Sequence, residues 1–96
     1  MKTIVILTRR ADGAAEDFER LAKAEVLHVW QGFADGIVRA VHGLADGPGA
    51  VLELESAAVE DARHYIETLP YVSQGLLHVQ YCALKAFADY GRLLPP

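Results

Sequence analysis

The amino-acid sequence predicts a single α+β domain with the element order β-α-β-β-α-β. Two patterns predict it: short runs of β-branched residues alternate with longer stretches whose apolar residues recur at helical spacing, and turn-forming residues separate them. Size is the third observation, because 96 residues with 52% hydrophobic content suffice for one core and leave no room for a second. We therefore expect residues 1–96 to form one domain.

The first half of the chain is predicted to hold a strand, a long helix and a second strand. Thr3 to Thr8 is rich in β-branched residues and ends at a polar turn. A helix is expected from Ala14 to about Ala34, because no Pro or Gly interrupts it before Gly32 and acidic residues lie near its start. Gly36 suits the C-terminal cap of this helix, and Ile37 to His42 then forms the second strand.

The second half of the chain is predicted to hold a third strand, which forms a hairpin with the second strand, then a helix and a fourth strand. A glycine-rich turn leads into a third strand, Ala50 to Glu55. Ser56 suits the N-cap of a second helix, which Pro70 ends, and Leu76 to Leu84 is predicted as the fourth strand. This order is that of the ferredoxin-like split βαβ motif, in which two helices cover one face of a four-stranded antiparallel sheet.

The other face of the predicted sheet is also apolar. In the first strand Val5 and Leu7 point to one face, and Ile4 and Ile6 point to the other. Since two helices cover only one face, packing on a second copy is the simplest closed arrangement, and we expect a homodimer or a higher homo-oligomer. The C-terminal tail, residues 84–96, is too apolar for a free end and is predicted to pack on the partner subunit; its large apolar residues are Phe87, Tyr90, Leu93 and Leu94.

Charge and composition narrow the classes of function. A net charge of −4 with scattered Lys and Arg gives no basic patch for nucleic acid or an anionic membrane. No run reaches membrane-spanning length and the start does not read as a signal peptide, so a cytoplasmic location is expected. Cys82, the only cysteine, is expected to be a buried small apolar residue. The four histidines lack the spacing of a metal site, so no metal and no cofactor is expected.

Glu25 is the most informative residue of the first helix. A helical wheel places it in the middle of an apolar face, where a carboxylate is costly unless it is paired, and where poor pairing raises its pKa. Glu25 is therefore a candidate catalytic base, with an ion pair to Arg39 as the alternative. His28 borders the same face and can contact Glu25, although it also fits a half-exposed helix histidine. The apolar face comprises Phe18, Leu21, Ala22, Val26, Val29 and Phe33.

Four residues are candidates for substrate binding. Arg39 lies within the second strand, where a long cation is unusual unless it meets a carboxylate from the protein or from a ligand. His42 ends the same strand at the mouth of the hairpin, where an ordinary surface histidine is the alternative. Trp30 and Tyr81 are aromatic residues that could stack on a ligand, with packing in the core or at an interface as the alternative.

Several short runs, in this order and spacing, together resemble the muconolactone Δ-isomerase-like proteins of the dimeric α/β-barrel superfamily. The resemblance covers about Glu16 to Phe87 and implies a ferredoxin-like subunit whose sheet packs on that of a partner. It also implies a pocket between sheet and helices where small, often aromatic-derived molecules react without a metal. Members of that superfamily differ widely in activity, so the fold alone does not fix the reaction. The runs are Ala24-Glu25 with Trp30 five positions on, Gly36-Ile37-Val38-Arg39, Gly49-Ala50-Val51-Leu52, Leu69-Pro70 and Gly75-Leu76-Leu77.

The leading hypothesis is an isomerase that moves a proton within a small unsaturated lactone or a related carboxylate-bearing molecule. Glu25 would be the base, Arg39 would hold the substrate carboxylate or enolate oxygen, and His28 would return the proton. One alternative is a cofactor-free monooxygenase or polyketide cyclase that uses Trp30, His28 or Tyr81. Another is a non-catalytic small-molecule binding subunit in which Glu25 and Arg39 neutralise one another.

Overall fold

The computed structural model describes residues 1–96 and has the predicted ferredoxin-like α+β fold. A short helix occupies the segment between the second helix and the last strand, where Pro70 takes the first helical position, which needs no backbone N–H. A 3₁₀ helix follows the last strand. The strands are β1 (Lys2–Arg9), β2 (Val38–Gly43), β3 (Gly49–Glu55) and β4 (Leu77–Ala83), and the helices are α1 (Ala15–Asp35), α2 (Val59–Glu67), α3 (Pro70–Ser73) and the 3₁₀ helix Asp89–Leu93.

The four strands form one antiparallel sheet in the order β2-β3-β1-β4. In the centre of this sheet Val5 of β1 pairs with Leu52 of β3 and with Tyr81 of β4. At one end of the sheet, Arg9 of β1 pairs with Leu77 of β4. The pairing of β2 with β3 shifts between Val38 and Ala40, which marks a bulge in the edge strand β2.

The core lies between the sheet and the helices. Residues of alternating position in β1 and β3 project into it and are buried against α2, because side chains two apart in a strand point to the same face. The opposite face of the sheet has no helix over it, and Ile4 and Ile6 there are half-buried. The buried cluster comprises Val5, Leu7, Val38, Leu52, Leu54, Ala62, Ile66 and Leu69.

Helix α1 is rotated relative to the apolar face that the sequence predicts. Phe18, Glu25 and Gly32 are its buried residues, whereas Val26 and Phe33 are 69% and 51% exposed. Gly32 faces the Tyr65 side chain of α2, because a Cβ at position 32 would overlap the Tyr65 hydroxyl, which donates to the His28 carbonyl at 3.0 Å. With His28 and Gly32 on the side of α1 that meets Tyr65, Val26 and Phe33 lie on the outer side.

The C-terminal tail leaves the body of the protein. The Leu84 N–H donates to the Lys2 carbonyl at 2.9 Å, and beyond Leu84 no hydrogen bond joins the tail to the rest of the chain. The radius of gyration is 15.9 Å, compared with about 13 Å for a compact domain of 100 residues. Cys82 is exposed on the uncovered face, so its predicted burial is not achieved within one chain. No helix combines the length and apolar character required to cross a membrane.

Candidate functional site

A cavity of about 340 Å³ lies between α1 and the end of the sheet where β1 stops. Its volume falls in the range of small-molecule sites, and its wall is mostly apolar. The two charged groups in the wall, Arg9 and Glu25, distinguish it from a packing defect. The lining residues are Leu7, Arg9, Glu25, Val26, Val29, Val41, Gly49, Ala50, Leu52, Tyr71 and Leu77.

Glu25 is 8% exposed and forms no ion pair. Its Oε1 accepts one hydrogen bond, from the backbone N–H of Tyr71 at 2.9 Å. Burial raises the pKa of the Glu25 carboxyl above its ordinary value, and the hydrogen bond from Tyr71 opposes this shift in part. The carboxylate is therefore a stronger base than an exposed glutamate, and it faces an apolar cavity.

Tyr71 holds Glu25 in place from the start of α3. Its backbone N–H is free for the carboxylate because the first N–H groups of a helix have no partner within the helix. The Tyr71 hydroxyl donates to the Phe18 carbonyl at 2.9 Å, and the two rings meet edge to face with centroids 5.1 Å apart. Burial and the charge of Glu25 raise the pKa of Tyr71, while Arg9 lowers it. The Tyr71 hydroxyl thus lies within the electrostatic range of both charged groups.

Arg9, the last residue of β1, is the only cation in the cavity wall. Its guanidinium carbon lies 4.1 Å from the centroid of the Phe18 ring, a cation–π contact. No carboxylate pairs with it, whereas the adjacent Arg10 is bound to Asp12 at 3.1 Å. Arg9 therefore has its N–H donors available for an anion in the cavity.

The sequence analysis singled out neither Arg9 nor Tyr71, because Arg9 follows the predicted first strand and Tyr71 follows Pro70, which ends the predicted second helix. A signal for Arg9 is present, because it follows Val5 and Leu7 at intervals of two and so belongs to the helix-covered face of the strand. For Tyr71 no local pattern exists, since its contact with Glu25 spans 46 positions of the sequence.

His28 and Arg39 lie outside the cavity wall. The Nε2 of His28 is 2.7 Å from the Thr68 hydroxyl, and its ring packs against Tyr65, so it faces α2. Arg39 is exposed, and its Nε donates to the Gly36 carbonyl at 2.6 Å. The predicted alternative of an ion pair between Arg39 and Glu25 is wrong, because Arg39 is the residue that the β2 bulge leaves without a partner in β3, and its side chain folds back onto the end of α1.

The other three predicted ligand-binding residues lie apart from one another and outside the cavity wall. His42 lies 3.1 Å from the Glu53 carboxylate on the uncovered face of the sheet. Trp30 is 60% exposed on the outer side of α1 and stacks on Phe33 with ring centroids 5.9 Å apart. Tyr81 is half-buried beneath the guanidinium of Arg63, at 4.3 Å, and burial raises its pKa. Glu25 is thus the single member of the predicted site that lines the cavity.

No protein-family model and no curated protein sequence matches the chain. Among solved structures, the fold is similar to that of 5-chloro-2-hydroxyhydroquinone dehydrochlorinase (TftG) from Burkholderia phenoliruptrix AC1100 in complex with 2,5-dihydroxybenzoquinone, with a TM-score of 0.70, 16% identity, and coverage of 88% of this chain and 94% of that chain. Protein Atu4242 from Agrobacterium tumefaciens aligns with a TM-score of 0.49 and 14% identity over 92% of this chain and 95% of that chain. The likeness to the dehydrochlorinase shows a shared fold.

Proposed function

We propose that the protein is a cofactor-independent isomerase that shifts a proton within a small unsaturated lactone or a related carboxylate-bearing molecule. One observation carries the proposal: Glu25, a buried carboxylate with no cation partner, lines an apolar cavity of about 340 Å³. A carboxylate with a raised pKa suits general acid–base catalysis near neutral pH, because it can both take and return a proton.

The proton shift needs a base and a group that stabilises the anion. The Glu25 carboxylate takes a proton from a carbon that is acidified by a neighbouring carbonyl, and the electron pair of the broken C–H bond moves into the conjugated system. The enolate formed is stabilised by Arg9, which takes the role that the sequence analysis gave to Arg39. The protonated Glu25 then returns its proton to another carbon of the same system. His28 is not needed for this return, since it is held against Thr68.

The structural neighbour supports a small ring compound as the class of substrate. Its structure, which contains 2,5-dihydroxybenzoquinone, is a case in which this fold binds a small oxygenated ring. Hydroxylated quinones therefore belong beside butenolides among the compounds to be tested.

The proposed unit is a homodimer joined through the uncovered face of the sheet. Ile4, Ile6 and Val51 form the centre of this face and are half-buried in the single chain. When this surface packs on the same surface of a second copy, the two chains form a closed dimer with one self-complementary interface. Residues 84–96 would pack on the partner, because their large apolar side chains find no cover in their own chain.

The test is proton exchange followed by NMR in deuterated buffer, with a panel of butenolides and hydroxyquinones. Glu25→Gln keeps an oxygen that accepts the hydrogen bond of the Tyr71 N–H but removes the proton acceptor, so exchange should fall by roughly 10²-fold or more. Glu19→Gln, at an exposed position of the same helix, is the matched control. Undiminished exchange in the Glu25→Gln protein, or no exchange by the unaltered protein with any compound, would overturn the proposal.

The role of Arg9 is tested by comparing a variant of Arg9 with a variant of its neighbour Arg10. Arg9→Gln should weaken the binding of anionic compounds by about 10-fold or more, because a charge-assisted contact is lost from an apolar site. Neutral analogues should bind as before. Arg10→Gln alters the neighbouring arginine, which is exposed and paired with Asp12, and should leave both affinities unchanged.

A further inference from the structure

Phe18 is buried, yet it lies apart from the main apolar core. Its side chain is 5% exposed, but it does not belong to the buried cluster between the sheet and α2. The Arg9 guanidinium lies over the face of its ring at 4.1 Å, and the Tyr71 ring meets it edge to face. Gly13 covers the rim of the ring, because a Cβ there would lie 2.9 Å from the Phe18 Cε2 atom. The ring is therefore enclosed by residues of the cavity wall and of the turn beside it.

Helix α1 connects the two ends of the candidate site. Phe18 and Glu25 are seven residues apart on the buried face of α1, which places them two turns, or about 10.5 Å, apart along the helix axis. Tyr71 joins these two turns, since its backbone N–H donates to the Glu25 carboxylate and its hydroxyl donates to the Phe18 carbonyl, each at 2.9 Å. The helix and this tyrosine together fix the position of the Phe18 ring relative to the Glu25 carboxyl.

The Phe18 ring is what orients the cation of the cavity wall. Arg9 lines the cavity, whereas Phe18 does not. The Arg9 side chain makes no ion pair, so its contact with the Phe18 ring is the one that restricts it. A guanidinium stacked on an aromatic face keeps its N–H donors free at its own edge. A long side chain that is already ordered also loses less conformational entropy when it binds an anion.

We propose that Phe18 is the positioning residue for Arg9, and that its ring holds the guanidinium ready for the anionic group of a small ring compound. The contacts from Glu25 through Tyr71 and Phe18 to Arg9 then keep the base and the cation in a fixed relation to one another. The inference rests on the anion-binding role of Arg9 in the proposed function, and it does not depend on proton transfer at Glu25.

The contact can be measured without a ligand, through the NMR signal of the Arg9 Nε–H group. The ring current of Phe18 shifts this signal upfield while the guanidinium lies over the ring, and the Arg9→Gln variant identifies the signal by its loss. Phe18→Leu keeps an apolar side chain but removes the ring, so the signal should move to the region of the exposed arginines. Phe33→Leu, which removes an exposed ring from the same helix, is the matched control and should leave the signal in place.

The effect on anion binding is measured with benzoate and benzamide, an anionic and a neutral ring compound of similar size. Phe18→Leu should weaken the binding of benzoate several-fold and leave that of benzamide unchanged, because only the anion uses the Arg9 guanidinium.

Mono-, di- and trifluorinated phenylalanine at position 18 keep the ring while weakening its attraction for a cation step by step. The affinity for benzoate should fall in that order at an unchanged urea midpoint, which a role in packing alone would not produce. These variants also decide the question if the Phe18→Leu protein does not fold.

The possible outcomes separate this inference from the proposed reaction. An Arg9 signal that stays in place without the Phe18 ring, or equal affinities for benzoate in all the variants, would overturn the positioning role. If benzoate does not move the Arg9 signal of the unaltered protein, the positioning role and the anion-binding role of Arg9 are both wrong. If these measurements agree with expectation but no compound exchanges a proton, the proposed isomerase is wrong and the role of Phe18 stands.

Discussion

The two faces of the sheet contain similar residues but have different surroundings. On the helix-covered face, Val5 and Leu54 are fully buried. On the uncovered face of the same strands, Ile4, Ile6 and Val51 are only half-buried. The strands therefore present apolar residues on both faces of the sheet. The helices of the same chain bury these residues on one face only. The difference assigns the core to the first face and leaves the second face available for the proposed association.

The two faces also treat carboxylates in opposite ways. Glu25, on the covered side, has a raised pKa because it is buried with one hydrogen bond. Glu53, on the uncovered face, has a lowered pKa because His42, at 3.1 Å, and Lys2, at 3.2 Å, both contact its carboxylate. The covered side thus holds a buried carboxyl with one hydrogen bond and no cation partner, whereas the carboxylate on the uncovered side has two partners.

The largest expected effect comes from shortening a side chain on the covered face. Leu54→Ala should lower the free energy of unfolding by about 2–5 kcal/mol, because it leaves a cavity in a closely packed core. Ile6→Ala removes the same number of carbons from the uncovered face and should cost roughly 1 kcal/mol, with a dependence on protein concentration. Urea unfolding at two protein concentrations measures both. Equal losses that do not vary with concentration would show that the chain covers both faces by itself.

A charge on the uncovered face should act on association rather than on folding. Ile6 lies between Val51 and Gln80 in the sheet register, at the centre of the proposed interface. Ile6→Asp should raise the dimer dissociation constant by about 10²-fold or more, since an unpaired charge would be buried there. Ala24→Asp, at an exposed position of α1, adds the same charge and should leave the mass unchanged. Light scattering gives the mass, and an unchanged dimer in the Ile6→Asp protein would place the interface elsewhere.

The fold could be predicted because its signals are local. Alternation in β1, the turn before β3 and the proline after α2 act within a few residues, so the order of the four strands and two main helices follows from the sequence. The rotation of α1 could not be predicted in this way, because it depends on contact between Gly32 and Tyr65, which belong to different helices. The position of Arg39 depends on a bulge, which is a property of strand pairing and not of composition.

In the candidate site, too, the residues with a local signal could be predicted and the long-range contacts could not. Glu25 could be identified because a carboxylate on an apolar helix face is anomalous in the sequence alone. The ion pair with Arg39, which was the alternative, is wrong, since the structure supplies the N–H of Tyr71 instead. The position of Arg9 could have been predicted, because the two-residue period of β1 places it on the same face as Val5 and Leu7. Its neighbour Arg10, which contacts Asp12, belongs to an ordinary surface turn, and Arg9 was grouped with it.

The smallest expected effect is a pair of opposite pH dependences for the two carboxylates. Because the pKa of Glu25 is raised in the folded protein, its favourable contribution is complete below its ordinary pKa of 4.5 and is lost as the pH rises through the folded value. Glu25→Gln carries no such penalty and should gain stability over the unaltered protein as the pH rises toward neutral. Below the ordinary pKa this advantage should disappear.

The stability of the Glu53→Gln variant should depend on pH in the opposite direction. The prediction is tested by comparing the pH profiles of the two variants. The pKa of Glu53 is lowered in the folded protein, so its contribution is present above 4.5 and is lost as the pH falls through the folded value. Removing the charge should therefore destabilise the protein at neutral pH and have little effect in acid. The change should be small and weakened by salt, because Lys2 and His42 are exposed partners. Urea unfolding between about pH 3 and pH 8 covers both sides of the ordinary glutamate pKa of about 4.3. Parallel pH profiles for the two variants would mean that burial does not distinguish the two faces, since only desolvation on one side and pairing on the other give slopes of opposite sign.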